Sequence, residues 1–318
     1  MPSLPPQDFL FLPIPSAPPQ PLNLTLKTSS SWTYCGPLLP LDSLDASDDA
    51  SAALPTTFHT WTSHTIAGPS PSPRLLTALL PLLRSAHTFL RQQNIHHYWL
   101  TIRASRPTDE FDTPRWHTDD NFFTAPRRPD EDPNAEDVVG LWKLCATLQG
   151  QGTLFFAAGE KGRRALREAK LKARREQEAK PHVCTTVRCK ACGATSDKVR
   201  EEVAGVLARE QERVESGHGG KGGVVVQPRA GEEMVFFRVG GREGAVHSEP
   251  RHDVDRVFVN IIPGGEDELR VLMRRWGMEF PRSWSLGVPV TMPDALERRG
   301  GEEGVEKHAT EAARLVTV

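Results

Sequence analysis

Residues 115–123, RWHTDDNFF, contain a histidine and an aspartate two positions apart. The imidazole of His117 and the carboxylate of Asp119 are both common ligands of divalent metals. Such a pair also arises often by chance, so by itself it predicts little. It becomes a candidate metal site only if a third ligand follows on a strand that is distant in the sequence.

A suitable third ligand lies in the later stretch GAVHSEPRHDVDRVFVN. His247 ends a predicted strand, and Arg256 opens the next strand nine residues later. That spacing lets the chain turn and bring the guanidinium beside the histidine, where its planar fork suits a carboxylate. His252 is the competing ligand, but it lies in the polar loop EPRHDVD, which would hold a metal ligand poorly. We therefore expect His247 to complete the site.

The elements that must position these residues are short strands separated by turn residues. Alternating or apolar runs predict strands at 95–105, 138–148, 153–158, 223–227, 233–239, 244–249 and 256–262. Helical spacing predicts one helix from Ser72 to Asn94, kinked or split at Pro81, and another at 267–277. Many short strands with turns between them are typical of a sandwich or a jelly roll.

Composition divides the chain into four parts. Residues 1–72 are rich in proline and serine, with little periodicity, and predict an irregular N-terminal region, in which SWTYCGPLL is apolar enough to pack as an irregular strand. Residues 73–158 and 223–280 carry the strands, which predicts an α+β jelly-roll domain with a mainly β core and flanking helices. Residues 159–222 are charged on nearly every face and predict an inserted helical hairpin that projects from the barrel and is dispensable for it. Residues 281–318 predict a loose tail.

The order and strand context of His117, Asp119, His247 and Arg256 resemble those of the 2-oxoglutarate/Fe(II)-dependent oxygenase superfamily, over roughly residues 95–265. The resemblance implies a double-stranded β-helix in which the two histidines and the aspartate bind Fe(II). It implies that the arginine binds the far carboxylate of 2-oxoglutarate. The activity it implies is a dioxygenase that oxidises a C–H bond of its substrate, by hydroxylation or demethylation. Neither a small-molecule nor a macromolecular substrate is favoured.

Other side chains near the ligand pair are further candidates. Some members of the superfamily bind the same carboxylate through a lysine on a neighbouring strand, which makes Lys143, in LWKLCATL, a second cofactor-binding candidate. The alternative is an edge-strand lysine that faces water. Trp116, Phe122 and Phe123 flank the ligands and either wall the site or belong to the core, and we favour the core.

Three of the five cysteines lie within nine residues, in HVCTTVRCKACGA. Cys189 and Cys192, followed by a glycine, have the spacing of a zinc knuckle, and Cys184 and His182 would complete four zinc ligands. A structural zinc would give the insertion a small core of its own. Free thiols are the alternative. An odd number of cysteines clustered in this way is not typical of a secreted disulfide scaffold.

Charge and hydropathy exclude some classes of function. The net charge of -2 provides no overall field that would attract nucleic acid or an anionic membrane. No apolar run approaches the roughly 18 residues of a membrane span, and we expect a cytoplasmic or nuclear protein. The basic residues of the insertion alternate with acids, which favours a solvated helix face over a nucleic-acid site. The alternative function is a non-enzymatic jelly-roll binding or interaction protein that acts through residues 159–222.

Overall fold

The computed structural model describes residues 8–15, 22–41, 54–123, 141–179, 190–215 and 224–289. Within these ranges the chain is mixed α+β, with five helices and ten strands, seven of them in a large antiparallel sheet. The strands are β1 (Phe9–Pro13), β2 (Ser30–Pro37), β3 (His97–Ser105), β4 (Trp142–Gln149), β5 (Leu154–Phe156), β6 (Val225–Val226), β7 (Glu233–Arg238), β8 (His247–Ser248), β9 (Arg256–Gly264) and β10 (Arg282–Leu286). The helices are α1 (Thr56–Thr65), α2 (Pro71–Gln92), α3 (Gly159–Ala179), α4 (Lys190–Glu215) and α5 (Glu266–Arg275). Among these helices, none has the length and apolar character needed to cross a membrane.

The chain forms two compact units that do not follow the compositional segments. Unit 1 comprises Met1–Pro15 and Pro107–Arg256, and unit 2 comprises Ser16–Arg106 and Val257–Val318. Every candidate residue of the metal site therefore belongs to unit 1, including Arg256 at its boundary.

In unit 1, one end of the large sheet packs face to face with the three-stranded sheet. Strands β1, β7 and β4 lie side by side, and β6, β5 and β8 form the three-stranded sheet. The Phe155 ring of β5 lies 5.3 Å from the Phe237 ring of β7 and 4.9 Å from the Phe9 ring of β1, centroid to centroid. Phe155 and Phe237 are both almost completely buried. This aromatic layer forms the interior of a small β-sandwich.

The helical hairpin of α3 and α4 covers the outer face of the three-stranded sheet. Ion pairs at 3.0 Å join Lys161 to Glu210 and Lys172 to Glu202, so the two helices run antiparallel. Their apolar residues share a buried cluster with side chains of unit 1 that point away from the sandwich interior. The cluster contains Trp116, Phe156, Ala165, Leu166, Ala169, Val203, Leu207 and Val246.

This packing corrects the expectation that residues 159–222 project from the barrel, and it argues against their being dispensable. Residues Ala165, Leu166 and Ala169 of α3 lie against Phe156 and Val246 of the sheet. The thin apolar stripe that the sequence shows on these helices is therefore a core face. Charged residues greatly outnumber the apolar residues of this stripe. Composition alone therefore favoured a segment that projects into solvent.

Unit 2 packs helices on a sheet. The spatial order of its strands is β9, β3, β2 and β10, and β2 pairs with β3 and β10 in antiparallel register. Helices α1 and α2 bury Phe58, Trp61 and a leucine stripe. The Trp61 indole donates to the Ser30 hydroxyl at 2.8 Å, so a polar atom within this core is satisfied.

Three sequence-based expectations about the elements need correction. The region 1–72, expected to be irregular apart from the strand-like SWTYCGPLL that forms β2, also contains β1 and α1; the helical face of α1 includes buried threonines, which weakens its hydrophobic period. The expected tail contains β10. Helix α2 begins at Pro71 rather than after Ser72 and continues through Pro81, whereas its end before Asn94, at a φ of 56°, is confirmed.

Candidate metal centre

His117 and His247 are neighbours across a single antiparallel bridge. The amide of each donates to the carbonyl of the other, at 2.9 Å in both directions. Residues paired in this way have Cα atoms about 5.5 Å apart and side chains on the same face. The two imidazole centroids are 4.3 Å apart. The preceding residues, Trp116 and Val246, alternate to the opposite face and pack against the helical hairpin.

Each of these histidines is anchored through one ring nitrogen, which leaves the other for a metal. Nδ1 of His117 lies 2.7 Å from the Arg115 carbonyl oxygen, and Nδ1 of His247 lies 2.9 Å from the Ala245 carbonyl oxygen. Because a carbonyl can only accept, both Nδ1 atoms must carry a proton. In the neutral rings Nε2 is then unprotonated, which is the form that binds a metal.

The Asp119 carboxylate faces both Nε2 atoms. Its Oδ1 lies 3.8 Å from Nε2 of His117, and its Oδ2 lies 3.5 Å from Nε2 of His247. One ligand atom from each of the three residues lies within 4.8 Å of the other two. Two metal bonds of about 2.1 Å at a right angle hold their donor atoms about 3.0 Å apart. Small side-chain movements would therefore bring all three donors onto one ion.

The backbone around Asp119 is fixed by a glycine turn. The Asp119 carbonyl accepts from the Gly240 amide at 2.7 Å, and the Gly240 carbonyl accepts from the Gly244 amide at 2.8 Å. Gly240 has a φ of +104°, and a Cβ there would approach Oδ1 of Asn121 to 2.9 Å. Only glycine meets both conditions without strain, so this turn sets the position of the aspartate.

Lys143 lies in the site and does not face water. Its ammonium forms an ion pair with Oδ2 of Asp119, and the residue is 9% exposed. The same nitrogen lies 4.9 Å from the centroid of the Phe237 ring and 5.9 Å from that of Phe122. The sequence had suggested a carboxylate-binding lysine at this position, and the carboxylate it contacts here is that of the metal ligand.

Electrostatics keep two of the candidate ligands, Asp119 and His247, in their metal-binding forms. Burial by itself would raise the pKa of Asp119, but the positive charge of Lys143 and the neighbouring imidazoles hold that pKa well below its usual range. Burial lowers the pKa of His247 to about 4, against a smaller opposing effect of Asp119. At neutral pH the aspartate is therefore charged and His247 is neutral.

Two phenylalanines surround His247, and sequence reasoning did not single them out. The His247 ring lies 5.7 Å from the Phe155 ring, nearly parallel to it, and 5.0 Å from the Phe237 ring. Phe155 also pairs with His247 in the register of β5 and β8. The alternation of β5 and β7 was the available signal, because it predicts which of their aromatic residues face the interior.

Arg256 is buried at the start of β9, with 3% of its surface exposed. Its Nε donates to the Gln151 carbonyl at 2.9 Å, and a terminal nitrogen lies 3.3 Å from the Thr153 hydroxyl and 3.4 Å from the Thr147 hydroxyl. The turn between β4 and β5 therefore orients the guanidinium. Hydroxyl groups beside it add hydrogen-bonding capacity for an anion.

One face of β4 connects the metal ligands with Arg256. Lys143, Cys145 and Thr147 occupy every second position of the strand, so their side chains share that face. With a rise of about 3.3 Å per residue, Lys143 and Thr147 are about 13 Å apart along the strand. Burial raises the pKa of the Cys145 thiol to about 12, while Lys143 and Arg256 both act to lower it. The thiol thus lies within the fields of both cations and remains protonated.

The other predicted site residues have separate outcomes. His252 belongs to a different contact, with its ring 4.6 Å from that of Phe111 and its backbone bridged to Thr108, whereas His247 lies with His117 and Asp119. Trp116 is a core residue, as expected, whereas Phe122 and Phe123 are only partly buried and Phe122 lies beside Lys143. The proposed zinc ligands His182, Cys184 and Cys189 lie outside the described residues. The backbone of Cys192 lies in α4, but its side chain is also outside them.

The donor set defines what the centre can do chemically. Two imidazole nitrogens and one carboxylate oxygen on one side of an ion leave further coordination positions open for ligands. His117 has 29% of its side chain exposed, so the ligand set is accessible from that side. No protein-family model, curated protein or solved structure matches the chain.

Proposed function

We propose that this protein is an Fe(II)- and 2-oxoglutarate-dependent dioxygenase that oxidises a C–H bond of its substrate. The observation that carries the proposal is the convergence of His117, Asp119 and His247 in the interior of unit 1. A buried arginine lies in the same unit, nine residues after the second histidine. This is the residue order that the resemblance to the superfamily requires.

The donor chemistry fits a non-haem Fe(II) centre. The three protein ligands would leave three of six positions free, enough for a bidentate 2-oxo acid and oxygen. Other divalent ions accept the same donors, so the choice of iron depends on the superfamily resemblance.

The co-substrate would bind between the metal ligands and Arg256. The guanidinium is held by the Gln151 carbonyl and by two threonine hydroxyls, and it would receive the far carboxylate of 2-oxoglutarate. Cys145 lies between the two ends of this row on β4, and its thiol is within the fields of both Lys143 and Arg256.

Bound iron supplies the redox chemistry, in which O2 oxidises 2-oxoglutarate to succinate and carbon dioxide and converts a substrate C–H bond to C–OH. The protein itself would hold the metal and orient its ligands. The Arg115 and Ala245 carbonyls keep Nε2 of each histidine directed at the metal. The rings of Phe155 and Phe237 exclude water from the side of His247.

The proposed architecture is a double-stranded β-helix built around strands β4 to β9. Two facing sheets in unit 1, joined through Phe155 and Phe237, support this architecture. The ligands lie on β8 and on the segment bridged to it, and they face the interior. That is where a jelly roll offers a binding site.

The test is metal and co-substrate binding followed by turnover. Metal-stripped protein is loaded anaerobically with Fe(II), and iron content, 2-oxoglutarate affinity and succinate formation in air are measured. We expect one iron per chain, 2-oxoglutarate binding that requires the metal, and slow succinate formation without added substrate. A protein that binds no Fe(II), or binds 2-oxoglutarate equally well without metal, would contradict the proposal.

A further inference from the structure

The ammonium of Lys143 contacts the metal ligand that carries the negative charge of the site. It forms an ion pair with Oδ2 of Asp119, the oxygen that also faces Nε2 of His247. Both partners are largely withdrawn from water, with 11% and 14% of their side chains exposed. The ammonium also lies 4.9 Å from the centroid of the Phe237 ring and 5.9 Å from that of the Phe122 ring, within cation–π distance.

We propose that Lys143 is a resident counter-ion of the metal centre, which holds Asp119 in position when no metal is bound and lowers the affinity of the centre for divalent cations. The inference rests on the metal site of the proposed function. It assigns Lys143 a positioning role towards the metal ligand, distinct from the binding of a co-substrate carboxylate.

The direction of the effect follows from the two states of the site. Without metal, the lysine compensates a buried carboxylate that would otherwise be unpaired, so it stabilises the empty site. With metal, an ammonium in contact with a ligand oxygen repels the added divalent charge, so it destabilises the loaded site. Removing the lysine charge therefore raises the free energy of the empty state and lowers that of the loaded state. Both changes strengthen metal binding.

A merely space-filling role for Lys143 gives a different expectation. Methionine has a similar length and no charge, and it preserves apolar packing between the two aromatic rings. If the lysine only filled this space, Lys143→Met would leave the metal affinity unchanged. If its ammonium were required to orient Asp119 for the metal, the same variant would bind metal more weakly. The counter-ion role alone predicts tighter binding.

The experiment is a Mn(II) titration of metal-stripped wild-type protein and four variants, with free Mn(II) followed by electron paramagnetic resonance. We expect Lys143→Met to bind Mn(II) at least tenfold more tightly, and Lys143→Arg, which keeps the charge, to stay within threefold of wild type. Lys143→Gln also removes the charge but retains a donor for Asp119, and it should bind more tightly as well. Lys161→Met removes an exposed lysine whose partner is Glu210 on the hairpin, and it should leave the affinity unchanged.

Thermal unfolding gives an independent readout. Lys143→Met should lower the melting temperature of the metal-free protein, and saturating Mn(II) should raise it by more than in wild type. Lys143→Gln provides the affinity comparison should the methionine variant fail to fold.

The outcomes separate this inference from the proposed function. Wild-type protein that binds Mn(II), with neutral Lys143 variants that bind equally or more weakly, would overturn the counter-ion role and leave the metal site intact. Absence of binding in wild type and in all variants would overturn both. If Lys143→Met or Lys143→Gln binds Mn(II) and the wild-type protein does not, the result would support the counter-ion role in its strongest form.

Discussion

The imidazole of His247 is held on several sides before any metal binds. Its Nδ1 donates to the Ala245 carbonyl, two phenylalanine rings surround it, and its backbone is bonded to His117. These contacts leave Nε2 as the one nitrogen available for coordination. The anchoring reduces the ordering that metal binding must accomplish, which favours affinity.

Replacement of this histidine should remove metal binding. In His247→Ala one of three protein donors is lost, and we expect Mn(II) affinity to fall by more than about 100-fold, since loss of an outer-shell partner alone costs 10–100-fold. Elemental analysis and Mn(II) titration measure the effect. His64→Ala, at an exposed histidine in the last turn of α1, is the control and should bind metal normally. Wild-type affinity in His247→Ala would show that the three residues are not one ligand set.

The arginine should act on the co-substrate and not on the metal. Arg256→Met removes a charged hydrogen-bonding partner worth about 1.5–3 kcal/mol, which corresponds to about 10- to 150-fold weaker 2-oxoglutarate binding. The Mn(II) affinity should stay within threefold of wild type, since Arg256 donates no metal ligand. Calorimetric titration of 2-oxoglutarate into the Mn(II)-loaded protein is the measurement. Equal losses of metal and 2-oxoglutarate affinity would indicate a general loss of structure.

The three residues that converge as candidate ligands were predictable from the sequence, whereas the contact of Lys143 with Asp119 was not. Two short sequence patterns predicted these residues. One is the pair His117 and Asp119, and the other is a histidine at the end of a predicted strand, nine residues before an arginine. The contact between Lys143 and Asp119 depends on how far apart two strands lie and which way each faces. No spacing in the sequence reports this distance or orientation, so the sequence offered only a co-substrate carboxylate or water as the partner of Lys143.

At the scale of elements, side chains alternate along the short strands between the candidate metal site and the helical hairpin. On β5, Phe155 faces the histidines and Phe156 faces the hairpin. Around β8, His247 faces inward and Val246 faces the hairpin. Because side chains alternate along these strands, the same short segments place the candidate ligands on one face and pack against α3 and α4 with the other face.

A glycine in α3 sets how closely this helix approaches the sheet. A Cβ at Gly162 would lie 3.0 Å from Cγ2 of Val246 and 3.2 Å from Phe156, whereas one at Gly205 of α4 would meet only the end of the flexible Arg209 side chain, at 3.4 Å. We expect Gly162→Val to destabilise the protein by about 1–3 kcal/mol through overpacking, and Gly205→Val to be nearly neutral. Urea unfolding of both variants measures the difference. Equal stabilities would show that the hairpin does not pack tightly on β8.

The elements most readily predicted were those with a strong local period. Helix α2 and the strands β3, β4, β7 and β9 follow clear helical or alternating patterns. Helix α1 lacks such a pattern, because threonines form part of its buried face. Its structure depends on tertiary packing, which a local pattern cannot report.

At the scale of the whole molecule, the candidate chemistry is confined to one unit. The ligands His117, Asp119 and His247, and the cations Lys143 and Arg256, all belong to unit 1. Unit 2 has a separate core in which α1 and α2 cover its strands. Compositional segments could not predict this division, because unit 2 combines residues from the N-terminal part with residues from the C-terminal part.

Metal binding should therefore change local stability in unit 1 selectively. A ligand that binds the native site stabilises it by about 2.7 kcal/mol at 100 times its Kd, and it suppresses those local openings that release the metal. We expect slower amide exchange with Mn(II) in three segments of unit 1: the bridge of His117 with His247, the Gly240 amide bonded to Asp119, and strand β4. Helix α2 should exchange at the same rate with and without metal. Hydrogen exchange read out by mass spectrometry measures all of these segments in one experiment, with His247→Ala as the control that should show no response to Mn(II). Protection that appears in α2 but not around His117 and His247 would mean that the metal binds elsewhere, and the proposed centre would have to be abandoned.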